Sequence, residues 1–267
     1  MIELQKETID LWLCSCRSDE SRRMDERYRA LLDKHEQASE MRFHFERDRR
    51  RFLVTRALVR IVLSRYLPIQ PDKWGFSTNA YGRPRIANEE SRDAGLDFNL
   101  SHTDGLIVLG VSADRRLGVD VENVAELRAP IELADRFFSS HEAEALSRVS
   151  SDEQHRRFFE YWTFKESYIK ARGMGLSIPL DKFAFDFPGR AEVRLATAPE
   201  LKDSESNWQF WQFEPASGYL IAICAECVPQ TRIVVRKIVP LHAEEIVSPV
   251  FSRMSKIRSS GDREHVC

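Results

Sequence analysis

The sequence has no excess of charge of one sign. Its 40 lysine and arginine residues are balanced by 42 aspartate and glutamate residues, which leaves a formal net charge of −2 at pH 7. A protein that binds nucleic acid through its overall charge carries a marked basic excess. The composition therefore argues against nucleic acid as a partner, and a charged partner must be recognised by a local patch.

Long apolar runs are missing as well. No stretch reaches the roughly 18 apolar residues that suggest a membrane-spanning helix. The first residues, MIELQKETIDLWLCSC, lack both the basic region and the long apolar core of a secretory signal. These absences predict a cytoplasmic protein without a membrane partner.

Cysteine is scarce. The five cysteines in 267 residues are too few and too scattered for a disulfide scaffold, which fits a reducing compartment. Cys224 and Cys227 have C-x-x-C spacing, but they lie in the apolar run GYLIAICAEC, and no second pair with zinc-like spacing accompanies them. We expect this run to be a core strand rather than a metal or redox site.

Two long segments have helical periodicity. Residues 46–67 carry an apolar stripe that ends before Pro68, and residues 153–172 end before Gly173, a residue type common just beyond helix C-termini. The first segment also carries seven arginines. A solvated face is the ordinary interpretation of such a run, and phosphate binding is the alternative.

Shorter segments predict strands and caps. Two apolar runs, 106–111 and 117–121, flank a turn-like segment and predict a β-hairpin. The S-x-x-E pattern from Ser139 to Glu142 predicts a helix capping box. Further strands are expected at KFAFDF, AEVRL, NWQFWQFE and GYLIAICAEC. From residue 237 the chain becomes polar and is expected to be irregular, with about the last 25 residues a mobile tail.

The first pattern with chemical content is G-V-D-V-E. Asp120 and Glu122 are two residues apart in a predicted strand, so their side chains point to the same face. Neighbouring carboxylates repel, and their burial is costly unless a cation lies between them; Mg²⁺ prefers such oxygens together with water and phosphates. Solvated carboxylates at a strand end are the alternative for this pattern alone.

The second and third patterns involve a helix and a strand. Trp162, Glu166 and Lys170 recur every four residues and line one helical stripe, where a carboxylate and an ammonium group can hold a metal and a phosphate together. A surface salt bridge between Glu166 and Lys170 is the alternative. In N-L-S-H, His102 can offer a ring N–H or a positive charge to a phosphate, or it can fill a structural role.

Together these patterns carry a family resemblance. N-L-S-H, G-V-D-V-E and W-T-F-K-E-S-Y-I-K-A-R-G-M-G-L follow in this order, and residues 48–60, 76–84 and 136–142 also fit. Over residues 43–227 the sequence resembles the 4′-phosphopantetheinyl transferases of the surfactin-synthetase type. Such enzymes move the phosphopantetheine arm of coenzyme A to a serine of an apo acyl or peptidyl carrier protein, a small acidic helical bundle, and release 3′,5′-ADP.

The resemblance implies an α+β fold of two similar α+β subdomains related by pseudo-twofold symmetry, with the active site in the cleft between them. Residues 1–113 would form the N-terminal lobe on the coenzyme A side. Residues 114–228 would form the C-terminal lobe with the metal ligands and the carrier docking surface. Residues 229–267 would be an extension that is partly a mobile tail. A monomer is expected.

The resemblance also implies site residues. Asp120, Glu122 and Glu166 become ligands of Mg²⁺, for which Mn²⁺ can substitute, and Asp120, Glu166 and Lys170 become the catalytic residues. The segment 81–86 would receive the adenine, and Ser101 and His102 the 3′-phosphate. The full set of expected coenzyme A contacts is Tyr81, Gly82, Arg83, Pro84, Asn99, Ser101, His102, Lys165, Lys170, Arg47 and Arg51.

One departure from the family concerns the 3′-phosphate. Relatives usually carry lysine or arginine a few residues ahead of the segment that matches residues 43–48, where this sequence has HEQASEM. Either Lys34 or Arg42 is shifted into place, or Arg47 and Arg51 take over. Sequence leaves these alternatives open.

The implied mechanism follows from charge. Mg²⁺ and Lys170 neutralise the pyrophosphate oxygens, the carrier serine attacks the β-phosphate, and Lys170 stabilises the departing phosphate. The general base is Glu166 or a metal-bound water that it orients. The carrier is expected to dock on the segment MGLSIPL, through its apolar residues Met174, Leu176 and Ile178 and the flanking basic residues Arg172 and Lys182. A place in the buried core is the alternative for the three apolar residues.

Two other function classes fit parts of the sequence. A non-catalytic module that binds coenzyme A or a nucleotide would keep the phosphate contacts but does not need three carboxylates beside a lysine. A serine hydrolase built on Ser101, His102 and Asp104 fits less well. Adjacent serine and histidine side chains in a strand point to opposite faces, and no G-x-S-x-G pattern is present.

Overall fold

Helices and strands are mixed throughout the chain, which a computed structural model describes over residues 1–126 and 128–256. In chain order the helices are α1 (Asp19–Arg22), α2 (Asp25–Arg29), α3 (Lys34–Glu40), α4 (Glu46–Leu63), α5 (Ala134–Phe137), α6 (Ser140–Ser147) and α7 (Ser151–Arg172). The strands are β1 (Thr8–Ser15), β2 (Phe76–Thr78), β3 (Pro84–Ile86), β4 (Leu96–His102), β5 (Leu106–Ala113), β6 (Leu117–Asn123), β7 (Phe183–Asp186), β8 (Arg194–Thr197), β9 (Trp208–Phe213), β10 (Tyr219–Glu226), β11 (Arg232–Val239), β12 (Ala243–Val247) and β13 (Phe251–Met254).

The first of two structural units comprises residues Met1–Arg115 and Arg232–Ser248. Its main sheet has the strand order β12-β11-β1-β5-β4, in which β1 pairs antiparallel with β5 and parallel with β11. Apolar side chains of α4 share one buried core with those of β1, β4 and β5, including Trp12, Leu58, Val62 and Leu109. The predicted apolar stripe of α4 is therefore confirmed, although the helix ends at Leu63.

The solvated-face interpretation is wrong for two arginines of α4. Arg60 is fully buried, where its guanidinium group donates to Glu36 at 2.6 Å and to the carbonyl oxygen of Trp74 at 2.8 Å. Arg50 is also buried and donates to Ser21 and Asp25. Buried arginines need such partners because an unpaired charge is costly to remove from water. These partners lie far away in sequence, which is why the helical pattern did not reveal them.

The second unit comprises Arg116–Thr231 and the described residues from Pro249 onward. Its sheet has the order β13-β9-β10-β6, and α7 packs on β6 and β10. Aromatic side chains dominate the core, among them Phe164, Tyr168, Phe185 and Phe210. Helix α7 ends as predicted, because Gly173 closes it in the left-handed conformation at φ 67°.

The predicted hairpin between residues 106–111 and 117–121 is wrong. The runs are strands β5 and β6, but β5 pairs with β1 and β4 in the first unit, whereas β6 pairs with β10 in the second. Residues 112–116 thus connect the two units instead of forming the turn of a hairpin. Both strands are buried along nearly their whole length. Such strands find their partners in distant segments, which a local pattern does not reveal.

The expectation of an irregular segment from residue 237 onward is also wrong. Strand β11 extends the first sheet beside β1, β12 pairs with β11, and β13 pairs with β9 in the second unit. The β-branched run of β11 suits a strand, and the parallel pairing satisfies its backbone groups. Strands β12 and β13 also fall within the predicted mobile tail, whose residues 257–267 lie outside the described part of the chain.

Two smaller expectations concern cysteine and membranes. Cys224 is buried in β10, which confirms the predicted core strand, and the four cysteines of the described residues are free thiols. No helix among the described residues is both long and apolar enough to cross a bilayer.

A matched pair of substitutions tests whether the C-terminal strands belong to the folded structure. Ile238 of β11 is 5% exposed in the first core, whereas Ile246 of β12 is 68% exposed. We expect Ile238→Ala to lower the free energy of unfolding by about 2–5 kcal/mol and Ile246→Ala to change it by less than about 0.5 kcal/mol. Urea denaturation measures both. Equal, small effects would mean that β11 does not contribute to the core.

Candidate active site

The site is built where α7 lies directly against β6. At Gly118 a Cβ atom would stand 2.0 Å from the carbonyl oxygen of Ser167 and 2.4 Å from the amide nitrogen of Ala171. Contacts this short to helix backbone are impossible, so only glycine permits this packing. Gly118 shares a strand face with Asp120 and Glu122, because side chains two residues apart point the same way. The glycine of G-V-D-V-E therefore brings α7 close to the two carboxylates.

Side chains of α7 contact both carboxylates. The Lys170 ammonium group donates to Oδ1 of Asp120 at 2.6 Å, and the indole N–H of Trp162 donates to Oε1 of Glu122 at 3.2 Å. The helical stripe of Trp162 and Lys170 therefore faces the D-x-E pair. Lys170 is thus ion-paired with the strand, so the helix surface salt bridge is not needed to explain it.

Burial and mutual repulsion shape the charges of this cluster. Burial raises the pKa of Glu122 to about 7, and the neighbouring charge of Asp120 adds to the effect. Burial also raises the pKa of Glu166, again with a contribution from Asp120, while Lys170 opposes the rise. The three carboxylates therefore lie close enough to repel one another in a region with little water.

The chemistry of this donor set fits a hard divalent cation. All three groups offer carboxylate oxygens, and added positive charge would relieve their repulsion. Among residues 1–126 and 128–256, however, no three histidine, cysteine or acidic side chains are already arranged around a single metal position. Asp120 is instead held by Lys170. Cation binding would thus require small side-chain movements within the cluster.

Lys165 has a different role from the one predicted. Its ammonium group is fully buried and forms an ion pair with Glu142 at 2.7 Å, and it donates to the carbonyl oxygens of Leu180 and Phe183 at 2.8 and 2.7 Å. A coenzyme A phosphate would have to displace all of these partners. The expectation that Lys165 contacts coenzyme A is therefore wrong. Its direction, about 100° around the helix from Glu166, points it into the core.

Glu142 explains why Lys165 is held so firmly. The predicted capping box is confirmed. The Glu142 carboxylate accepts from the backbone N–H of Ser139 at 2.9 Å, and the Ser139 hydroxyl oxygen accepts from the backbone N–H of Glu142 at 3.2 Å. The second carboxylate oxygen accepts from the amide of Phe185 at 2.8 Å. One buried carboxylate thus ties α6, α7 and β7 together. The sequence predicted the capping box of Glu142, but it did not predict the ion pair between Glu142 and Lys165.

The segment predicted to receive the carrier is largely occupied. Ile178 is 2% exposed and belongs to the second core, and Met174 packs against that core. Arg172 donates to Asp203 at 2.6 Å and to the hydroxyl of Tyr168 at 2.8 Å. Lys182 stays exposed, and the side chain of Leu176 lies outside the described part. The expected exposed apolar surface is therefore wrong for Ile178, because this residue completes the core beneath α7.

The expected adenine segment is a tight turn between β2 and β3. Asn79 shapes it, because its side-chain oxygen accepts from the amides of Tyr81 and Arg83, both at 2.9 Å. Gly82 adopts φ 85°, a conformation that favours glycine, and Pro84 begins β3. Tyr81 is 53% exposed, whereas the Arg83 guanidinium donates to Asp97 at 2.7 Å. The accessible residues of this segment are thus Tyr81, Gly82, Pro84 and Arg85.

The remaining expected contacts lie on β4 and α4. Asn99 and Ser101 are buried on one face of β4, whereas His102 is exposed at its end. Arg47 is 74% exposed, and Arg51 is partly exposed and donates to Asp48 at 2.9 Å. All of these residues lie in the first unit, whereas the carboxylate cluster and Lys170 lie in the second.

Comparison with known proteins identifies the family. A family profile described as the 4′-phosphopantetheinyl transferase superfamily matches residues 116–224, and another described as the N-terminal part of 4′-phosphopantetheinyl transferase matches residues 21–114. The chain therefore belongs to the 4′-phosphopantetheinyl transferase family, and within it to the surfactin type.

Individual relatives support this assignment. The chain is 33% identical over 222 residues to the 4′-phosphopantetheinyl transferase HetI of Nostoc, a match that covers 83% of this chain and 89% of HetI. It is 33% identical to the transferase Sfp of Bacillus subtilis, over 77% of this chain and 87% of Sfp. It is 34% identical to the transferase gsp of Aneurinibacillus migulanus, over 78% of this chain and 81% of that protein.

The packing at Gly118 can be tested with a second glycine as a control. Gly118→Ala should push α7 away from β6, lower the free energy of unfolding by about 1–3 kcal/mol and disrupt the carboxylate cluster. Gly189→Ala should be nearly neutral, because a Cβ atom there meets nothing within 4 Å. Denaturation and metal titration measure the two effects. Equal stability of both variants would contradict the close approach.

The ion pair of Lys165 and Glu142 is testable by a double-mutant cycle. Lys165→Met leaves a buried carboxylate without its cation and should cost about 3–5 kcal/mol of unfolding free energy. Adding Glu142→Gln should recover part of the loss, because the glutamine is neutral and its one side-chain oxygen can still accept from one of the two backbone amides. A role in coenzyme A binding makes the opposite prediction, namely weaker coenzyme A binding with unchanged stability.

Proposed function

We propose that the protein transfers the 4′-phosphopantetheine arm of coenzyme A to a serine of an apo acyl or peptidyl carrier protein, which gives the holo carrier and 3′,5′-ADP. The observation that carries this proposal is the meeting of Asp120, Glu122 and Lys170 where α7 packs on β6. Family membership supports it, since the relatives are named as enzymes of this activity.

Asp120, Glu122 and Glu166 would hold Mg²⁺ or Mn²⁺, which when bound supplies positive charge to the pyrophosphate oxygens of coenzyme A. Lys170 can exchange its contact with Asp120 for the pyrophosphate, where its positive charge stabilises the departing phosphate. Glu166 would accept the proton of the carrier serine, either directly or through a water that it orients.

The coenzyme A contacts proposed here follow the exposed residues of the first unit. Tyr81 and the turn through Pro84 would receive the adenine, with Arg83 keeping the turn fixed through Asp97. His102 would bind the 3′-phosphate. Because Ser101 points to the other face of β4, such a phosphate would meet the backbone of Ser101 rather than its hydroxyl.

We also propose roles for the remaining polar residues of β4 and α4. Asn99 is buried and would support β4 rather than touch the ligand. Arg47 and Arg51 are candidates for additional phosphate contacts, since both lie in the first turns of α4. We further propose the family's pseudo-twofold arrangement of two lobes with a shared cleft, and a cytoplasmic monomer.

The alternative is a module that binds coenzyme A without catalysis. It makes a distinct prediction, because a binding module would neither need a divalent cation nor change a carrier protein. The two functions are therefore separated by measuring product and binding in the same samples.

The decisive experiment incubates the protein with coenzyme A, Mg²⁺ and a panel of apo carrier proteins, and determines carrier masses by mass spectrometry. We expect conversion to the holo carrier, loss of activity with EDTA, and recovery with Mg²⁺ or Mn²⁺. Asp120→Ala or Glu166→Ala should reduce the rate by at least about 100-fold while the fold is retained.

Asp181→Ala serves as the control, because this carboxylate is exposed at the surface of the same unit. Near-normal turnover of Asp120→Ala would refute the proposed metal site. Binding of coenzyme A that is insensitive to EDTA, without conversion of any carrier, would favour the binding module.

A further inference from the structure

The connection between α3 and α4 exposes two large apolar side chains. Met41 is 68% exposed and Phe45 is 60% exposed, although large apolar side chains normally have most of their surface buried. Between them, Phe43 packs against Phe52 of α4 with ring centroids 5.3 Å apart. Phe43 thus anchors the connection from the inside, while Met41 and Phe45 remain in solvent.

Two exposed arginines lie beside these two side chains. Residues 41–51 include five arginines and two acidic residues, but Arg50 is buried and paired with Asp25, so Arg42 and Arg47 are the exposed arginines, next to exposed Glu46. Arg42 is exposed between Met41 and Phe43, and the guanidinium group of Arg47 lies 5.9 Å from the ring centroid of Phe45. Of the two acidic residues, Asp48 is already paired with Arg51 at 2.9 Å. Arg42 and Arg47 therefore supply exposed positive charge next to the apolar side chains.

The start of α4 adds to this positive character. Phe45 is the N-cap residue of this 18-residue helix, and its side chain cannot accept a hydrogen bond from the first N–H groups. Helix N-termini carry partial positive charge, which a capping side chain would partly satisfy. An aromatic residue at this position leaves apolar surface next to a positive helix end. Such a combination suits a partner that presents carboxylates next to apolar side chains.

We propose that Met41, Arg42 and Phe45, here called the 41–45 surface, form a docking site for the apo carrier protein. The inference rests on the proposed function, because the expected carrier is a small acidic helical bundle. Phe45 and Met41 supply the apolar contact, and Arg42 supplies charge complementarity, which mainly increases the rate of encounter. This surface is available where the segment after α7 is not, since Ile178 is buried and Arg172 is bound to Asp203.

The test compares steady-state kinetics with the carrier varied and with coenzyme A varied. The Met41→Ser/Phe45→Ser double variant and Arg42→Glu should each raise the KM for the carrier about 10-fold or more. In the Met41→Ser/Phe45→Ser variant the kcat value and the KM for coenzyme A should change by less than about 2-fold, and the melting temperature should stay the same, because the substituted side chains are exposed. Arg42 is also a candidate contact of the 3′-phosphate, so for Arg42→Glu only the carrier KM tests the docking surface. Salt should raise the carrier KM of the wild type and affect Arg42→Glu less.

Matched controls exist elsewhere on the surface. Ile246→Ser removes an equally exposed apolar side chain, and Arg92→Glu reverses an arginine that is 74% exposed. Both controls should leave the carrier KM unchanged. Their effects distinguish a specific surface from a general loss of apolar area or of positive charge.

Three outcomes would overturn the inference. An unchanged carrier KM in both variants would exclude the 41–45 surface, a rise in the KM for coenzyme A alone would assign these residues to the nucleotide, and equal effects of the controls would remove the specificity. Direct titration of apo carrier into the protein without coenzyme A measures the same surface independently of catalysis. A wild type that converts no carrier but binds it through Phe45 would refute the proposed function and retain the docking surface.

Discussion

The close approach of α7 to β6 is the constraint on which the rest of the site depends. Gly118 permits it, because any side chain would collide with the backbone of Ser167 and Ala171. Once the helix lies at this distance, Lys170 reaches Asp120 and Trp162 reaches Glu122. The carboxylates of Asp120, Glu122 and Glu166 and the ammonium group of Lys170 are then confined where water is scarce. The three carboxylates repel one another, so the cluster favours the binding of a cation, and with it a phosphate.

A second buried interaction determines which face of α7 is turned toward β6. Lys165 and Glu142 form an ion pair that solvent does not reach, and their remaining hydrogen bonds extend to the 180–183 segment and to β7. Adjacent residues on a helix point about 100° apart. By holding Lys165 in the core, the pair directs Glu166 toward the carboxylates of β6. A residue buried in the core thereby contributes to the geometry of the carboxylate cluster.

Similar long-range pairing organises the first unit. Strand β11 returns from the far end of the chain to lie parallel to β1, and Tyr28 donates to the carbonyl oxygen of Pro240 at 3.0 Å. Arg60 is buried because Glu36, distant in sequence, neutralises it. Buried charges of this kind are acceptable only when their partners are in place, so the unit gains specificity from contacts that cannot form locally. These buried contacts hold the elements that carry the exposed turns and the 41–45 surface.

The sequence by itself determined what depends on local periodicity and on residue chemistry. The helical stripes of α4 and α7, the stop at Gly173, the capping box of Glu142 and the shared face of Asp120 and Glu122 all follow from spacing within one element. The family patterns are also local. Each of these features could be predicted because its cause lies within a few residues of its effect.

Only the tertiary structure decided which elements meet. It separated β5 from β6, placed β11 beside β1 and paired Lys165 with Glu142, because the partners of buried strands and buried charges are selected by the whole core rather than by neighbouring residues. Gly118 lies between these cases: glycine within a strand signals a close approach, but the identity of the approaching helix became clear only when the chain had folded.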